Sequence, residues 1–442
     1  MDDREAAQDF LHRHDIRMVR VEWCDLHGLA RGKRVSADRF LQSLHRGMRQ
    51  SGAPLLMDLQ GEAPEGSSPW SMAGWPDIHA IADLSTLRLA PGEEATAQVI
   101  ADLVGPEGVP VPMAPRRVLR RVLARLRAKG WEFSVGPELE FYLFADREAT
   151  HVPPGRQALR LCLGRRERRC IERLCRELRT AGFEVEAIYA EDGPGQFEIN
   201  LSHSDPLSAA DLAFAFRNLV KQAAAREGLT ATFMAKPLSE HSGSGFHLHL
   251  SGRTVARGRR LFTVSRKTGR PNATCRRFIA GQLTFARAAA ALYLPTVNAY
   301  KRIETRGPAP LALCWGADNR SAAVRVIMDE PGVCHIENRI AGADANPYLL
   351  TAVVLATGLL GCERRMEPAP QLACSAYAKP GAGERLPTTL REALELLDRS
   401  RDLRRALGDE FVDAFVTVKR REAGRFDATV TDWERAEYLP FL

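Results

Sequence analysis

The spacing of apolar residues divides the chain into two parts. Up to about residue 105, apolar and polar residues alternate in short runs, which predict strands over residues 18–23 and around residues 97–103. After a Gly- and Pro-rich break at residues 104–110, apolar residues recur mostly at helical spacing. This spacing predicts helices over residues 115–129, 165–179, 207–227, 274–291 and 349–360, with strands between them. We therefore predict an α+β chain with domains at residues 1–105 and 106–442.

The composition narrows the class of protein. A chain of 442 residues, of which 45% are hydrophobic, can bury a sizeable core. Its N-terminus is charged, and no apolar run approaches the ~18 residues that cross a bilayer, so we expect a soluble, cytoplasmic protein. The net charge of +7 comes mainly from arginine, but the Arg-rich run at residues 165–179 has the apolar spacing of a solvated helix. We expect neither a nucleic-acid partner nor a membrane partner.

Four short segments alternate apolar side chains with side chains that bind metal ions or phosphate. Because side chains on a strand alternate between its two faces, each segment presents its polar residues together. The segments contribute Glu138 and Glu140; Glu191 and Glu198, joined by a Gly-Pro-Gly turn; His247, His249 and Ser251; and His335, Glu337 and Arg339. One such segment alone is more often the wet face of a sheet, and a single pair of histidines is about as often structural. Four in one chain favour a shared site.

Convergence of these faces would place five glutamates in a small volume. Their repulsion and desolvation would be costly unless cations neutralise them, and oxygen ligands with one imidazole suit Mg²⁺ or Mn²⁺. Arg302, Arg320 and Arg325 lie in loop-like contexts and, with Arg339, offer planar forks for carboxylate and phosphate. Two metals with nearby arginines are typical of phosphoryl transfer. The sequence has no Walker A or GxGxxG stretch, which excludes a P-loop or Rossmann nucleotide site.

At these residues the chain resembles the glutamine synthetase family. The matching stretches are VGPELEFYLF, EDGPGQFEIN, FMAKPLSEHSGSGFHLHLSG, NAYKRI, WGADNRSAAVRV and HIENRIAGADANPYLL, and the resemblance runs from about residue 16 to the end. Their wording is most similar to the branch that joins glutamate to amines, such as γ-glutamylpolyamine synthetase. The resemblance implies an N-terminal β-grasp domain and a catalytic domain of curved antiparallel sheet and helices. It also implies a homo-oligomer of stacked rings, usually a dodecamer.

The resemblance further implies a role for individual residues. One divalent metal would be held by Glu140, Glu191 and Glu198, and the other by Glu138, His247 and Glu337. ATP would contact Glu186, His249, Ser251 and Arg325. The amino-acid substrate would contact Gly243, Arg302 and Arg339, while Arg320 would contact the transferring phosphate.

The chain departs from the family pattern at four places. Pro308 stands where ammonia-using members have a flap glutamate, which argues against ammonia as the preferred amine, although Glu304 is a candidate replacement. The ammonium-binding Asp-Gly-Ser-Ser stretch is absent, and Asp58 is the candidate replacement. Ser242 replaces the asparagine before Gly243, and His335 replaces an ATP-contacting arginine.

We therefore predict a ligase that uses ATP and Mg²⁺ or Mn²⁺ to join glutamate, or a close analogue, to an organic amine through γ-glutamyl phosphate. The sequence does not select a polyamine over ethanolamine, methylamine or an aromatic amine. One alternative is an authentic glutamine synthetase that uses ammonia. The other is a catalytically inactive member of the family with a structural or regulatory role.

Overall fold

Two β-sheets with helices packed against them form the protein. The computed structural model describes residues 3–63, 73–146, 157–304, 309–310, 312–379, 381 and 383–442, without the side chains of Glu304 and Asp329. The N-terminal sheet contains β1 (Met18–Cys24), β2 (Ala30–Ser36), β3 (Met48–Ser51), β4 (Asp77–Ala82), β5 (Arg88–Leu89) and β6 (Thr96–Val104). Its strand order is β2-β1-β6-β4-β3, with β5 also paired to β6, and β1 runs parallel to β6. Helices α1 (Asp3–Arg13) and α2 (Ala37–Ser43) accompany this sheet.

The second sheet is larger and mostly antiparallel. It contains β7 (Trp131–Phe144), β8 (Val185–Ala190), β9 (Gln196–Leu201), β10 (Thr230–Thr232), β11 (Phe246–Thr254), β12 (Trp315–Ala317), β13 (Val324–Glu330) and β14 (Val333–Asn338). The order is β12-β13-β14-β11-β7-β9-β8, with β10 also paired to β7, and only the short β12 pairs in parallel. The four segments with polar faces thus become the neighbouring strands β14, β11, β7 and β9, apart from the turn that carries Glu191.

The helices of the C-terminal part are α3 (Pro115–Ala128), α4 (Arg165–Thr180), α5 (Pro206–Arg226), α6 (Ala273–Tyr293), α7 (Val297–Glu304), α8 (Pro347–Glu363), α9 (Leu390–Arg399), α10 (Arg401–Leu407), α11 (Asp409–Asp427) and α12 (Asp432–Tyr438). Local sequence sets where they begin: the Asp205 side chain accepts from the first backbone N–H groups of α5, and Asn346 does the same for α8. Each is followed by a proline at the first helical position, which has no N–H to satisfy. Helix α8 is buried on nearly all sides and packs against α3, α5 and α6.

The predicted fold class is confirmed, and the predicted helices agree closely with the structure. The helix expected at residues 274–291 is α6, and the one expected at residues 349–360 lies within α8. In the Arg-rich helix α4, Cys170, Leu174 and Leu178 form a buried stripe and most of the arginines are exposed, as predicted. None of the helices in the described ranges has both the length and the apolar character of a bilayer-spanning segment. The boundary between domains near residue 105 stays a prediction.

An ion-pair network around the buried Arg116, which the sequence did not predict, connects helices α3 and α5 to the N-terminal part. Arg116, at the start of α3, is 4% exposed and pairs with Asp83, Asp102 and Asp211 at N–O distances of 2.7, 2.9 and 2.8 Å. Asp83 and Asp102 belong to the N-terminal part, whereas Asp211 lies on α5. Arg120, one turn further along α3, reaches the same two N-terminal carboxylates. The network therefore fixes α3 and α5 against the N-terminal sheet.

Candidate active site

Strand register brings the predicted metal ligands together. Glu138 of β7 lies opposite His247 of β11, and Glu140 lies opposite Glu198 of β9. On the other side of β11, His249 lies opposite Glu337 of β14. Directly opposed residues of antiparallel strands have Cβ atoms about 4.5–5.5 Å apart, so side chains on one face meet. The alternation that the sequence showed therefore becomes one continuous polar patch across four strands.

Two groups of possible ligand atoms form within this patch. One atom from each of Glu138, His247 and Glu337 lies within 4.8 Å of the others, and so does one atom from each of Glu140, Glu198 and His247. All these side chains are buried. Glu138, Glu140, Glu198 and His247 of these groups line a cavity of about 660 Å³, which we call the acidic cavity. Glu191 lines this cavity too, although it belongs to neither group. The structure therefore brings the side chains of one expected ligand set together and puts His247 in both groups.

The charges on the two sides of this cavity differ. Burial and the nearby Glu138 raise the pKa of Glu198 far above its usual range, and burial together with Glu140 raises the pKa of Glu191 to about 7. Burial acts in the same sense on Glu138 and Glu337, but hydrogen bonds from His247 and His249 hold the pKa of Glu138 well below its usual range, and Arg339 lowers that of Glu337. Uncompensated carboxylates on one side and an imidazole between the two groups fit Mg²⁺ or Mn²⁺.

Neighbouring donors orient the carboxylates on the uncompensated side. The Gln196 side-chain amide and the backbone N–H of Gly245 donate to Glu140 Oε2 at 3.0 and 2.8 Å. The Tyr189 hydroxyl donates to Glu198 Oε1, and so does the Asn200 amide at 3.2 Å. Such outer contacts fix the direction in which a ligand oxygen points. Sequence reasoning missed Tyr189, because its position on the edge strand β8 gave no sign that it would face Glu198.

The arginines surround the cavity from the side of β13 and β14. Arg325 Nη1 donates to Glu337 Oε2 at 3.1 Å, and Arg339 donates to the other oxygen of the same carboxylate. Arg339 Nε also donates to the carbonyl oxygen of Arg320 at 3.1 Å, while the Arg320 side chain is exposed and lines the cavity. Arg339 and Arg320 therefore present positive charge to the cavity. Arg325 does not line it in this structure, since its guanidinium is shared between Glu337 and Asp318.

Arg302 lies next to two glycines near Glu140, behind the residues that line the cavity. It is 4% exposed, and its Nη1 donates to the Ile340 carbonyl at 3.0 Å. A Cβ atom at Gly245 would lie 2.9 Å from Arg302 Nη2 and 2.6 Å from His247 Nε2, and one at Gly243 would lie 2.7 Å from Arg302 Cγ. Because glycine has no Cβ atom, Gly243 and Gly245 allow Arg302 and His247 to approach the backbone closely.

Three histidines form a cluster on the side of the expected nucleotide. His249 lies 2.7 Å from Glu138 Oε2 through Nε2 and 3.0 Å from His335 through Nδ1. The ring of His203 lies 6.1 Å from that of His249 and 6.2 Å from that of His335. His203 was not predicted, because it lies in the segment after β9 and outside any alternating pattern.

Other expected site residues lie further away. Ser251 lines a separate cavity of about 610 Å³ on the far part of β11, and Glu186 is exposed on β8. Asp58 is fully buried, 3.1 Å from Arg425 and 3.4 Å from Arg421 of α11, and does not line the acidic cavity. The structure does not bring these three residues to the metal-ligand patch. Pro308 and the side chain of Glu304 lie outside the described residues.

The Ser242 hydroxyl, at the position where an asparagine was expected, donates to Asp192 Oδ2 at 2.6 Å. Its carbonyl accepts from the Tyr142 hydroxyl at 2.6 Å. These bonds tie the segment before Gly243 to the turn that carries Glu191.

Comparison with known proteins agrees with this arrangement. A family model described as glutamine synthetase, catalytic domain, matches residues 112–438. Glutamate–isopropylamine ligase of Pseudomonas sp. is 34% identical, with 99% of this chain and 98% of that protein aligned. γ-Glutamylethanolamide synthetase of Streptomyces coelicolor is 38% identical, with 95% and 92% aligned. A solved structure described as apo GmaS without ligand superposes with a TM-score of 0.87 at 30% identity, covering 98% of this chain and 99% of that one. The chain therefore belongs to the glutamine synthetase family, close to its glutamate–amine ligases, and is an ATP-dependent ligase that joins a carboxylate to an amine.

Proposed function

We propose that this enzyme joins the γ-carboxylate of glutamate to a small organic amine in preference to ammonia. The observation that carries the proposal is the presence of two groups of buried side chains, each with two glutamates and both including His247. Arg320 and Arg339 line the same cavity. In this assignment Glu140, Glu191 and Glu198 hold one divalent ion, and Glu138, His247 and Glu337 hold the other. The ions, when bound, would neutralise the carboxylates and the phosphate oxygens of ATP.

The protein's own groups account for the positioning of substrates. Arg302 is a buried cation beside Gly243 and Gly245, and Arg339 is a buried cation that lines the cavity, so an amino-acid carboxylate would find guanidinium groups there. Arg320 lies exposed at the same cavity and would meet the phosphoryl group as it leaves ATP. His249 and the neighbouring His203 and His335 form the nucleotide side, with Ser251 and Arg325 assigned to ATP from the family resemblance. Glu186 is assigned to ATP on the same ground.

Two bond exchanges make up the reaction. An oxygen of the γ-carboxylate attacks the γ-phosphorus of ATP, so that ADP leaves and γ-glutamyl phosphate forms. The amine nitrogen then attacks the acyl carbon, the C–N bond forms, inorganic phosphate leaves and the amine gives up a proton. Most of the rate enhancement would come from position and from charge stabilisation in a site with little water.

Three observations support an organic amine over ammonia. Pro308 occupies the position of the flap glutamate, so the anion that would attract ammonium is missing from the sequence. The two relatives described above are named for isopropylamine and ethanolamide chemistry. The aromatic rings of Tyr189 and Tyr377 at the cavity also offer apolar surface to an amine's carbon chain. A polyamine, methylamine and an aromatic amine remain acceptors to be compared.

A phosphate-release screen tests this function. Purified enzyme with ATP, glutamate and Mg²⁺ or Mn²⁺ is supplied in turn with ammonium, methylamine, isopropylamine, ethanolamine, a polyamine and a small aromatic amine. We expect at least one organic amine to be turned over at least tenfold faster than ammonium, with the γ-glutamyl amide identified by mass. Equal rates with ammonium would instead identify a glutamine synthetase. No phosphate release with any amine would favour an inactive member of the family.

Hydroxylamine provides a check on the intermediate. It traps an acyl phosphate as a hydroxamate, so formation of γ-glutamyl hydroxamate that requires ATP is expected.

We also propose assembly into stacked rings, as the family resemblance implies, and the mass of the native particle in solution tests it.

A further inference from the structure

A loop between helices α8 and α9 forms one side of the acidic cavity. Residues 372–375 and 377 of this loop line the cavity, and we call residues 369–378 the strap. The sequence marked none of them as site residues, and only the ring of Tyr377 has a role in the function proposed above. The other groups that the strap presents to the cavity therefore have no role so far.

Hydrogen bonds and apolar packing hold the strap against the segment between β12 and β13. The Asn319 side-chain amide donates to the carbonyl oxygens of Leu372 and Cys374 at 3.3 and 2.9 Å. The Ser321 hydroxyl oxygen accepts from the backbone N–H of Ala376 at 2.8 Å. Leu372 and Ala376 are also buried in one small apolar cluster. Because these contacts fix the strap, the residue that follows Ala376 has a defined position at the cavity.

Tyr377 is that residue. It is 43% exposed and lines the acidic cavity. Its hydroxyl forms no hydrogen bond with a residue that the structure describes, whereas the hydroxyl of Tyr189 in the same cavity already donates to Glu198. Burial raises the pKa of Tyr377, so the hydroxyl keeps its proton at neutral pH and can donate a hydrogen bond. This donor is therefore available to a bound substrate.

Two guanidinium groups lie near the phenol of Tyr377. The positive charges of Arg339 and Arg302 both act on its pKa, in the direction opposite to burial. Arg339 already forms an ion pair with Glu337. Arg302 is 4% exposed and forms an ion pair with no carboxylate in the described part of the chain, although the charge of Glu140 acts on it from further away. A buried cation without a paired anion is unfavourable, so this side of the cavity favours an anionic ligand.

A hydroxyl and two guanidinium groups together are suitable donors for a carboxylate. We propose that the Tyr377 hydroxyl, with Arg302 and Arg339, binds the α-carboxylate of the glutamate substrate. This inference rests on the proposed function. The γ-carboxylate has to meet the phosphoryl group and the metal ions, which leaves the α-carboxylate for the donors beside the strap. The ring of Tyr377 stays available to the carbon chain of the amine.

Removal of the hydroxyl alone tests this role. Tyr377→Phe keeps the ring, and the rate is measured as ATP-dependent γ-glutamyl hydroxamate formation, which does not depend on the identity of the natural amine. A hydrogen bond to a charged group is strong, so the KM for glutamate should rise about tenfold or more, while kcat changes less than about twofold. Tyr438→Phe removes an exposed hydroxyl on α12, outside the acidic cavity, and should change neither constant. An unchanged KM in Tyr377→Phe, or a fall in kcat alone, would overturn the inference.

Calorimetric titration measures the same contact without turnover. Glutamate is titrated into full-length enzyme with ADP and Mg²⁺ present, and Tyr377→Phe should bind it about tenfold or more weakly than wild type does. The analogue 4-aminobutanoate lacks the α-carboxylate and should bind wild type far more weakly than glutamate, or not at all. Equal affinity of wild type for the two acids would overturn the assignment of the α-carboxylate. Equal affinity of wild type and Tyr377→Phe for glutamate would overturn the inference alone, whereas no glutamate binding to wild type would overturn the proposed function with it.

Discussion

Two clusters of carboxylates in the described part of the chain, both at least partly buried, are compensated by different cations. Around Arg116, the carboxylates of Asp83, Asp102 and Asp211 lie at ion-pair distance from guanidinium groups. Burial alone would raise the pKa of Asp83, but hydrogen bonds from Ser85 and Arg116 lower it. The protein itself supplies the positive charge there. The network needs no further ligand, and its role is to hold helices α3 and α5 against the N-terminal sheet.

The acidic cavity has no such balance on one of its sides. Glu198 and Glu191 have raised pKa values because they are buried next to Glu138 and Glu140 rather than next to arginine. Folding has therefore placed like charges together at a cost in stability. A binding site for a divalent metal has this property: its carboxylates destabilise the metal-free protein, and the bound cation removes their repulsion. The difference between the two clusters separates a structural use of buried acids from a functional one.

The largest expected effect is on activity. Glu138→Gln keeps the size of the side chain but removes a charge from one metal-ligand group. Loss of outer contacts to a metal ligand typically costs 10–100-fold, so loss of a ligand's charge should reduce kcat/KM by more than about a hundredfold. Glu132→Gln is the matched control on the same strand, at an exposed position outside the acidic cavity, and should retain activity. Activity of Glu138→Gln close to wild type would remove this residue from the site.

The second effect is on stability, at the compensated cluster. Arg116→Met leaves the buried Asp211 without its ion pair, while Arg120 still pairs with Asp83 and Asp102. Breaking a buried pair typically destabilises a protein by about 3–5 kcal/mol. Arg125→Met on the same helix removes a partly exposed pair with Glu363, which should matter by less than about 1 kcal/mol. Unfolding by urea, followed by circular dichroism, measures both. Equal stability of the two variants would contradict a structural role for the network.

The third effect has the opposite sign. Glu198→Gln removes a carboxylate from the uncompensated side, and its amide oxygen can still accept from Tyr189. We expect the variant to be more stable than wild type in a chelating buffer, by an amount on the order of 1 kcal/mol. Addition of Mn²⁺ should raise the melting temperature of wild type more than that of the variant. A variant less stable than wild type without metal would show that Glu198 is not under electrostatic strain.

The smallest effect concerns a single, partly exposed hydrogen bond from a hydroxyl to a carboxylate. Ser242→Ala removes the hydroxyl that donates to Asp192. A hydrogen bond of this kind contributes about 0.5–1.5 kcal/mol, so the KM for glutamate should rise roughly twofold to tenfold with kcat little changed. Initial rates over a range of glutamate concentrations separate the two constants. A fall in kcat alone would mean that this bond acts on the chemical step instead.

The sequence predicted the faces of the strands better than their partners. Alternation on β7 was enough to place Glu138 and Glu140 on one face of that strand, and alternation on β11 placed His247 and His249 on one face of theirs. This works because the alternation of side chains depends only on neighbouring residues in the same strand. The pairing of Glu140 with Glu198, and of His249 with Glu337, joins residues far apart in the sequence. Periodicity contains no information on such register, so the two ligand groups needed the structure.

Residues that act through distant partners were missed for the same reason. Arg116 was expected only as part of an amphipathic helix, yet it holds carboxylates from both parts of the chain. Asp58, a candidate for the amine site, is instead buried against arginines of α11.

Direct metal binding tests the central claim, that cations make the acidic cavity tolerable. Titration of the protein with Mn²⁺, with free Mn²⁺ followed by electron paramagnetic resonance, gives the number of sites per chain. The account predicts at least two sites in wild type, one of them lost in Glu198→Gln and the other in Glu337→Gln. Absence of Mn²⁺ binding to wild type, or the same number of sites in all three proteins, would contradict it.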